Sequence, residues 1–112
     1  VNNCPMEVVV VHLGGYVPPN YKKEDLESWQ KLADNLTEVL PSWEALQDVQ
    51  NVDKTKLSQL LDILRKRKDT ASMVVSRMKA NQWLTDAEQT LIEQDSNLAK
   101  EAEKIVGDLN KR

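Results

Sequence analysis

The run Leu26-Glu27-Ser28-Trp29-Gln30-Lys31-Leu32-Ala33-Asp34-Asn35-Leu36-Thr37-Glu38-Val39-Leu40 decides the fold class. Leu26, Trp29, Ala33, Leu36 and Leu40 recur at alternating spacings of three and four, which lines one stripe of an α-helix, while Lys31, Asp34, Asn35 and Glu38 face away. Pro41 then removes a backbone donor and disfavours helical geometry at Leu40, so the helix is expected to end or kink there. Trp43 still falls on the same stripe, so a kinked continuous helix stands beside the alternative of a new short helix reaching about Gln50.

Downstream the helical pattern persists. Asp53 is a good N-cap for a segment in which Leu57, Leu60, Leu61 and Leu64 share a face. That face meets Arg65-Lys66-Arg67-Lys68. Successive helical residues are about 100° apart, so four adjacent charges sweep most of the circumference. A helix packed on one side is therefore expected to end, or to project past the bundle, near Lys68, with Asp69 or Thr70 capping the next helix. Ala71, Val74, Val75 and Met78 give a further apolar face. Thr85 followed by Glu88 fits a capping box, and Ala87, Leu91, Leu98, Ala102, Ile105 and Leu109 form the stripe of the last helix, interrupted by Gln94 and Asp95. That interruption predicts a solvated or kinked middle. No Gly or Pro lies between Pro41 and Gly107, which argues against β structure there.

Upstream, residues 1–21 read differently. Glu7 to Leu13 is β-branched and apolar, closed by Gly14-Gly15, and Pro18-Pro19 imposes extended backbone. This is expected to be an extended arm with one strand-like stretch. Three fates are open to Val8–Val11: packing on the helices, which is the default, pairing with another chain, or belonging with a neighbouring domain. The valine run lacks the basic flank and the small-residue cleavage pattern of a signal peptide and is expected to belong to the mature chain. The expected architecture is all-α: an extended arm over 1–21 and a small helical bundle of three to five helices over 22–112.

The 112 residues are one domain's length, and the 40% hydrophobic content is enough for one modest core. The net charge of −3 conceals an asymmetry: residues 1–53 carry −6, residues 54–79 carry +6, and residues 80–112 carry −3. A basic central helix between acidic ones predicts antiparallel neighbours whose rims attract. No apolar run is long enough to span a membrane.

Function classes narrow by what chemistry requires. Cys4 is the sole cysteine and His12 the sole histidine, which argues against an intramolecular disulfide, a thiolate zinc centre or a histidine-based metal site. Nucleophilic and acid–base catalysis need a base and an orienting group brought together, and the glycines at 14, 15 and 107 form no phosphate-cradling loop. The expectation is no enzyme, no catalytic residue, no cofactor and no metal. Arg65, Lys66, Arg67 and Lys68 admit three roles: phosphate contact with nucleic acid or anionic lipid, a localisation patch, or a helix end meeting acidic neighbours, the last being favoured. Arg67 and Thr70 have a basophilic-kinase spacing, with a phosphate at Thr70 suiting a helix N-terminus. Asn35-Leu36-Thr37 matches a glycosylation acceptor but lies inside the periodic helix. Of Trp29, Trp43 and Trp83, at least two are expected in the core, and Trp43 is the candidate partner anchor.

The stretch Ser76-Arg-Met-Lys-Ala-Asn-Gln-Trp83-Leu84-Thr-Asp-Ala87-Glu88-Gln-Thr-Leu91-Ile-Glu-Gln-Asp95 and the periodic helix after it resemble the first helix of a spectrin repeat, in which Trp-Leu precedes a Glu and spaced leucines. The resemblance spans residues 76–112 and implies a three-helix coiled bundle serving as a cytoskeletal spacer and docking platform. A repeat begun near residue 76 would stop after its second helix starts, and Pro41 and the Arg65 cluster depart from long uninterrupted helices. No site residue is carried over. The sequence thus predicts a cytoplasmic, non-enzymatic interaction or scaffold module. Its expected partner is a protein met through Arg65–Lys68 or Trp43, with nucleic acid or anionic lipid as the alternative.

Overall fold

The computed structural model describes residues 19–110; the expected extended arm, including Cys4, Val8–Val11 and His12, lies outside the described residues. These residues form three α-helices: α1 (Lys23–Ala45), α2 (Lys54–Lys79) and α3 (Asp86–Asn110), with one 3-10 turn at Leu46–Asp48. The class is all-α.

α1 begins with Glu24 and Asp25 in its first turn, where carboxylates suit the positive end of the helix dipole. It runs unbroken through Pro41 to Ala45, so the continuous form of the two sequence alternatives is the one adopted. Pro41 and Thr37 are both exposed, which lets water serve the carbonyl that Pro41 cannot reach. On the other side Leu40 is buried, and Trp43 and Leu46 pack against the core, extending the stripe past the proline. The carbonyl end of α1 and its 3-10 turn then meets a cation: the Lys54 ammonium donates to the Leu46 carbonyl (3.0 Å), the Gln47 carbonyl (2.7 Å) and the Val49 carbonyl. Helix ends leave such acceptors short of partners; the Leu46 carbonyl also accepts the Val49 N–H at 3.0 Å, and the lysine at the start of α2 gathers all three carbonyls.

Asp53 caps α2 as the sequence predicts, its Oδ1 accepting the Lys56 N–H at 3.1 Å. α2 does not end near Lys68 but continues without a break to Lys79, which corrects the reading of the four-cation run. Its end is set instead by Asn81, at φ 53°: the Asn81 N–H bonds the Met78 carbonyl (3.1 Å) and the Gln82 N–H bonds the Arg77 carbonyl (2.9 Å). This is a Schellman closure with asparagine at the left-handed position, which asparagine tolerates better than most residues. Thr70 is accordingly no cap; it is buried in mid-helix, its hydroxyl donating to the Lys66 carbonyl at 2.9 Å. The expected capping box of α3 is present: Thr85 Oγ1 accepts the Glu88 N–H (3.1 Å) and Glu88 Oε1 accepts the Thr85 N–H (2.8 Å).

The helices are antiparallel. Arg65 of α2 meets Glu44 of α1, while Lys56, Arg67 and Arg77 meet Asp108, Asp95 and Glu88 of α3 in reverse order. One core cluster joins Leu36 and Leu40 of α1, Leu57, Leu60, Leu61, Ile63 and Leu64 of α2, and Ala102 and Ile105 of α3. Toward the α2–α3 loop the buried residues become smaller: Ala33, Thr70, Ala71, Val74 and Val75. α2 approaches both neighbours, whereas no Cα pair between α1 and α3 comes within 8 Å.

Gly107 sits inside α3 at an exposed position, and a Cβ added there meets nothing within 4 Å. Gly107→Ala is expected to raise unfolding free energy by about 0.5–1 kcal/mol, because alanine loses less backbone entropy in a helix. Leu60→Ala, which empties a wholly buried site, is expected to cost about 2–5 kcal/mol. Urea denaturation followed by circular dichroism measures both.

Candidate functional site

The four cations do not form one patch. Arg65 is exposed on the outer edge of the α1–α2 seam, 3.0 Å from Glu44. Lys68 lies half-buried in the same seam, in a groove shared with Thr37, Leu40, Pro41, Glu44 and Asp69. Lys66 is exposed on the other edge of α2, in a groove formed with Met73, Leu91, Gln94 and Leu98. Arg67 turns inward between them, its Nε 2.9 Å from Asp95 Oδ1 and one terminal nitrogen 3.2 Å from Oδ2. This is the fork-on-carboxylate geometry that matches guanidinium to carboxylate.

Asp95 is therefore no solvated interruption of the last helix, as its place in the sequence pattern suggested, but a buried carboxylate. Its partner explains why α2 continues past Lys68: the cation of the run that turns into the α2–α3 interface is neutralised there. The same pairing turns α3. Leu91, expected on the apolar stripe, is 44% exposed and Ala87 is exposed, while Glu88, Ile92 and Asp95 turn toward the bundle. Two ion pairs, Arg77–Glu88 and Arg67–Asp95, set the facing of that half of α3 against its hydrophobic periodicity. The sequence signal for them was present only as a basic helix beside acidic ones.

A polar cluster closes the end of the bundle at the α2–α3 loop. Arg77 holds Glu88 through Nε at 3.1 Å to both carboxylate oxygens and reaches the Gln82 side chain at 3.0 Å. Tyr21, ahead of α1, donates its hydroxyl to the Gln82 carbonyl at 2.6 Å. The Thr85 N–H holds the Glu88 carboxyl below the usual carboxylate range, helped by Arg77 and opposed by burial. Burial pushes the Tyr21 phenol up, partly offset by Arg77 and reinforced by Glu88. The expected rim attraction between the basic helix and its acidic neighbours is thus made by named pairs.

All three tryptophans are half-buried, and Trp43 packs against the edge of the core cluster. Its position follows from the seams. Thr37, Pro41 and Glu44 mark the edge of α1 that meets α2. Leu32, Val39 and Trp43 lie across the buried stripe Ala33, Leu36 and Leu40 from that edge, so they border the seam with α3. On α3, Leu91, Gln94 and Leu98 mark the edge toward α2, which places Ile92, Ala99 and Val106 on the opposite border of the same α1–α3 seam. Every one of these six residues is half-buried or exposed, Val39 at 40%.

Among the described residues, no group of three or more His, Cys, Asp or Glu side chains is placed to hold a metal ion, and no helix is long and apolar enough to cross a membrane. No protein-family model, curated protein or solved structure matches the chain.

Two outcomes follow for the ion pairs. Asp95→Ala is expected to cost about 1–3 kcal/mol by leaving the largely covered guanidinium of Arg67, its side chain 17% exposed, without its carboxylate, whereas the double variant Arg67→Met with Asp95→Leu recovers most of that loss; denaturant midpoints of the single and double variants measure the difference. The Glu88 contribution depends on pH. Its folded carboxyl titrates below the ordinary glutamate value of 4.5, so its stabilisation is complete above that pH and is lost as pH falls through the folded value. Glu88→Gln should therefore be less stable than the parent chain at pH 7, with the gap closing in acid.

Proposed function

We propose that this chain is a non-enzymatic helical interaction or scaffold module that docks a protein partner along the α1–α3 seam, with Trp43 as its anchor. The observation that carries the reading is the pair of apolar borders, Leu32, Val39 and Trp43 on one side and Ile92, Ala99 and Val106 on the other, left half-covered between helices that keep apart. A tryptophan with its ring against a core edge and part of its surface open is the kind of residue that dominates binding energy when a partner completes its burial. A spectrin-like spacer or docking role on the cytoskeleton, in the cytoplasm, is the specific form of the proposal; the antiparallel three-helix arrangement supports it.

The engagement of Arg65 by Glu44 and of Arg67 by Asp95 weighs against phosphate contact through the four-cation run. Nucleic acid or anionic lipid would have to displace those carboxylates, and Lys66 and Lys68 open toward different seams.

Affinity capture of partners with the tagged chain tests the reading. Trp43→Ala is expected to weaken capture by about tenfold or more, the scale of a binding hot spot, while Lys66→Ala with Lys68→Ala leaves it near the parent level. Capture that survives Trp43→Ala and Val39→Arg but is abolished by the lysine changes would move the site to the basic rim. Salt-sensitive binding to DNA or anionic vesicles would return the nucleic-acid or lipid reading.

A further inference from the structure

Pro19 is buried, and Tyr21 is tied to the α2–α3 loop by its hydroxyl on the Gln82 carbonyl at 2.6 Å. The chain therefore enters α1 at the end of the bundle where α3 also begins, and both helices run away from that end antiparallel to α2. With a rise of about 1.5 Å per residue, Val39 and Trp43 lie about 24 and 30 Å along α1, and Ala99 and Val106 about 20 and 30 Å along α3, so the two borders of the seam are in register. The stretch before Pro19 is expected to be extended, and at about 3.3 Å per residue it carries Leu13 about 20 Å and Val8 about 36 Å from Pro19. Val8–Val11 and Leu13 thus reach the half of the α1–α3 seam bordered by Val39, Trp43, Ala99 and Val106. The chemistry matches as well as the length. Residues 8–18 contain no Asp, Glu, Lys or Arg, and the six border residues of the seam are likewise uncharged. The other two seams differ: Glu44, Arg65, Lys68 and Asp69 line the α1–α2 groove, and Lys66 and Asp69 the α2–α3 groove. A run of four valines is stabilised by apolar cover, and uncharged borders supply it without stripping water from a charge.

We infer that residues 8–13 of the chain's own N-terminal arm lie along the α1–α3 seam, against Val39 and Trp43, and that a partner entering the seam displaces them. The competition with a partner rests on the docking reading above; the placement of the arm does not. The arm is joined to α1 through Pro18 and Pro19, so it meets the seam at an effective concentration on the order of millimolar, which a separate partner must exceed. It is therefore an intramolecular competitor that sets how tightly the seam takes a partner.

The test uses the full chain with a nitroxide on Cys4, the sole cysteine, which follows Val8 toward the far end of α1 and α3. The tryptophan indole resonances report where the label sits, that of Trp43 being assigned by its loss in Trp43→Phe. The nitroxide should broaden the Trp43 indole more than that of Trp83 at the α2–α3 loop, and its chemical reduction should restore both. Val8→Asp with Val10→Asp in the labelled chain should abolish the difference, as should Val39→Arg, whereas Leu91→Arg in the α2–α3 groove should not. Equal broadening of the two indoles, or Trp43 broadening that survives Val8→Asp with Val10→Asp, would overturn the placement of the arm. Broadening of Trp43 in an unlabelled, isotope-enriched chain mixed with labelled chain would assign the seam to the arm of a second copy. Affinity capture reads the competition. Val8→Asp with Val10→Asp should raise Trp43-dependent capture by at least about threefold, as expected when the open seam is the minor state. Capture left unchanged by the arm substitutions, with selective Trp43 broadening present, would overturn the competition alone. Trp43-dependent capture without selective broadening would overturn the arm and leave the docking reading standing. Selective broadening without any Trp43-dependent capture would overturn the docking reading and leave the arm in the seam.

Discussion

Arg67 projects from the middle of the longest helix into the space where a three-helix core would place a hydrocarbon, and Asp95 holds it there through both carboxylate oxygens. Without that carboxylate the guanidinium would be an uncompensated charge in the interface, and α2 would have reason to stop within a turn. With it, α2 extends over 26 residues, carries the leucine cluster at one end and the small-residue cluster at the other, and offers a flank to each neighbour. The pair also fixes how α3 faces. In the half of α3 nearest the loop the apolar stripe yields to Glu88, Ile92 and Asp95, and Leu91 is left outside.

Charge then shapes the bundle as a whole. A basic central helix draws an acidic helix to each side, and the ion pairs that join them sit at intervals along the interface, from Lys56–Asp108 at one end to Arg77–Glu88 at the other. Between the two acidic helices no Cα pair comes within 8 Å. Their mutual seam is held only by what their side chains contribute to the shared core, and its apolar borders stay partly open.

Local signals were legible where the physics is local. Asp53 as N-cap and the Thr85–Glu88 capping box depend on residues three apart, and both are formed. The alternation of charge among helices was visible from simple segment counts. The end of α2 was not, because four adjacent cations are a helix stop only if no buried acid answers them, and the answering acid lies 28 residues downstream. The true stop, Asn81, depends on a single left-handed residue that the hydrophobic pattern does not mark. Pro41 was ambiguous for a related reason: its exposure, and the packing of Trp43 and Leu46 beyond it, are properties of the assembled bundle.

The sequence by itself determined an all-α chain, its helical stripes, two of its caps and a basic segment flanked by acidic ones, because helical periodicity and capping act over three or four residues. Tertiary structure alone decided that the four cations point to different seams, that Asp95 is buried, and that Trp43 borders a seam between two acidic helices. Each of those outcomes depends on which side chains meet across helices, a relation between distant residues that no single helical wheel contains.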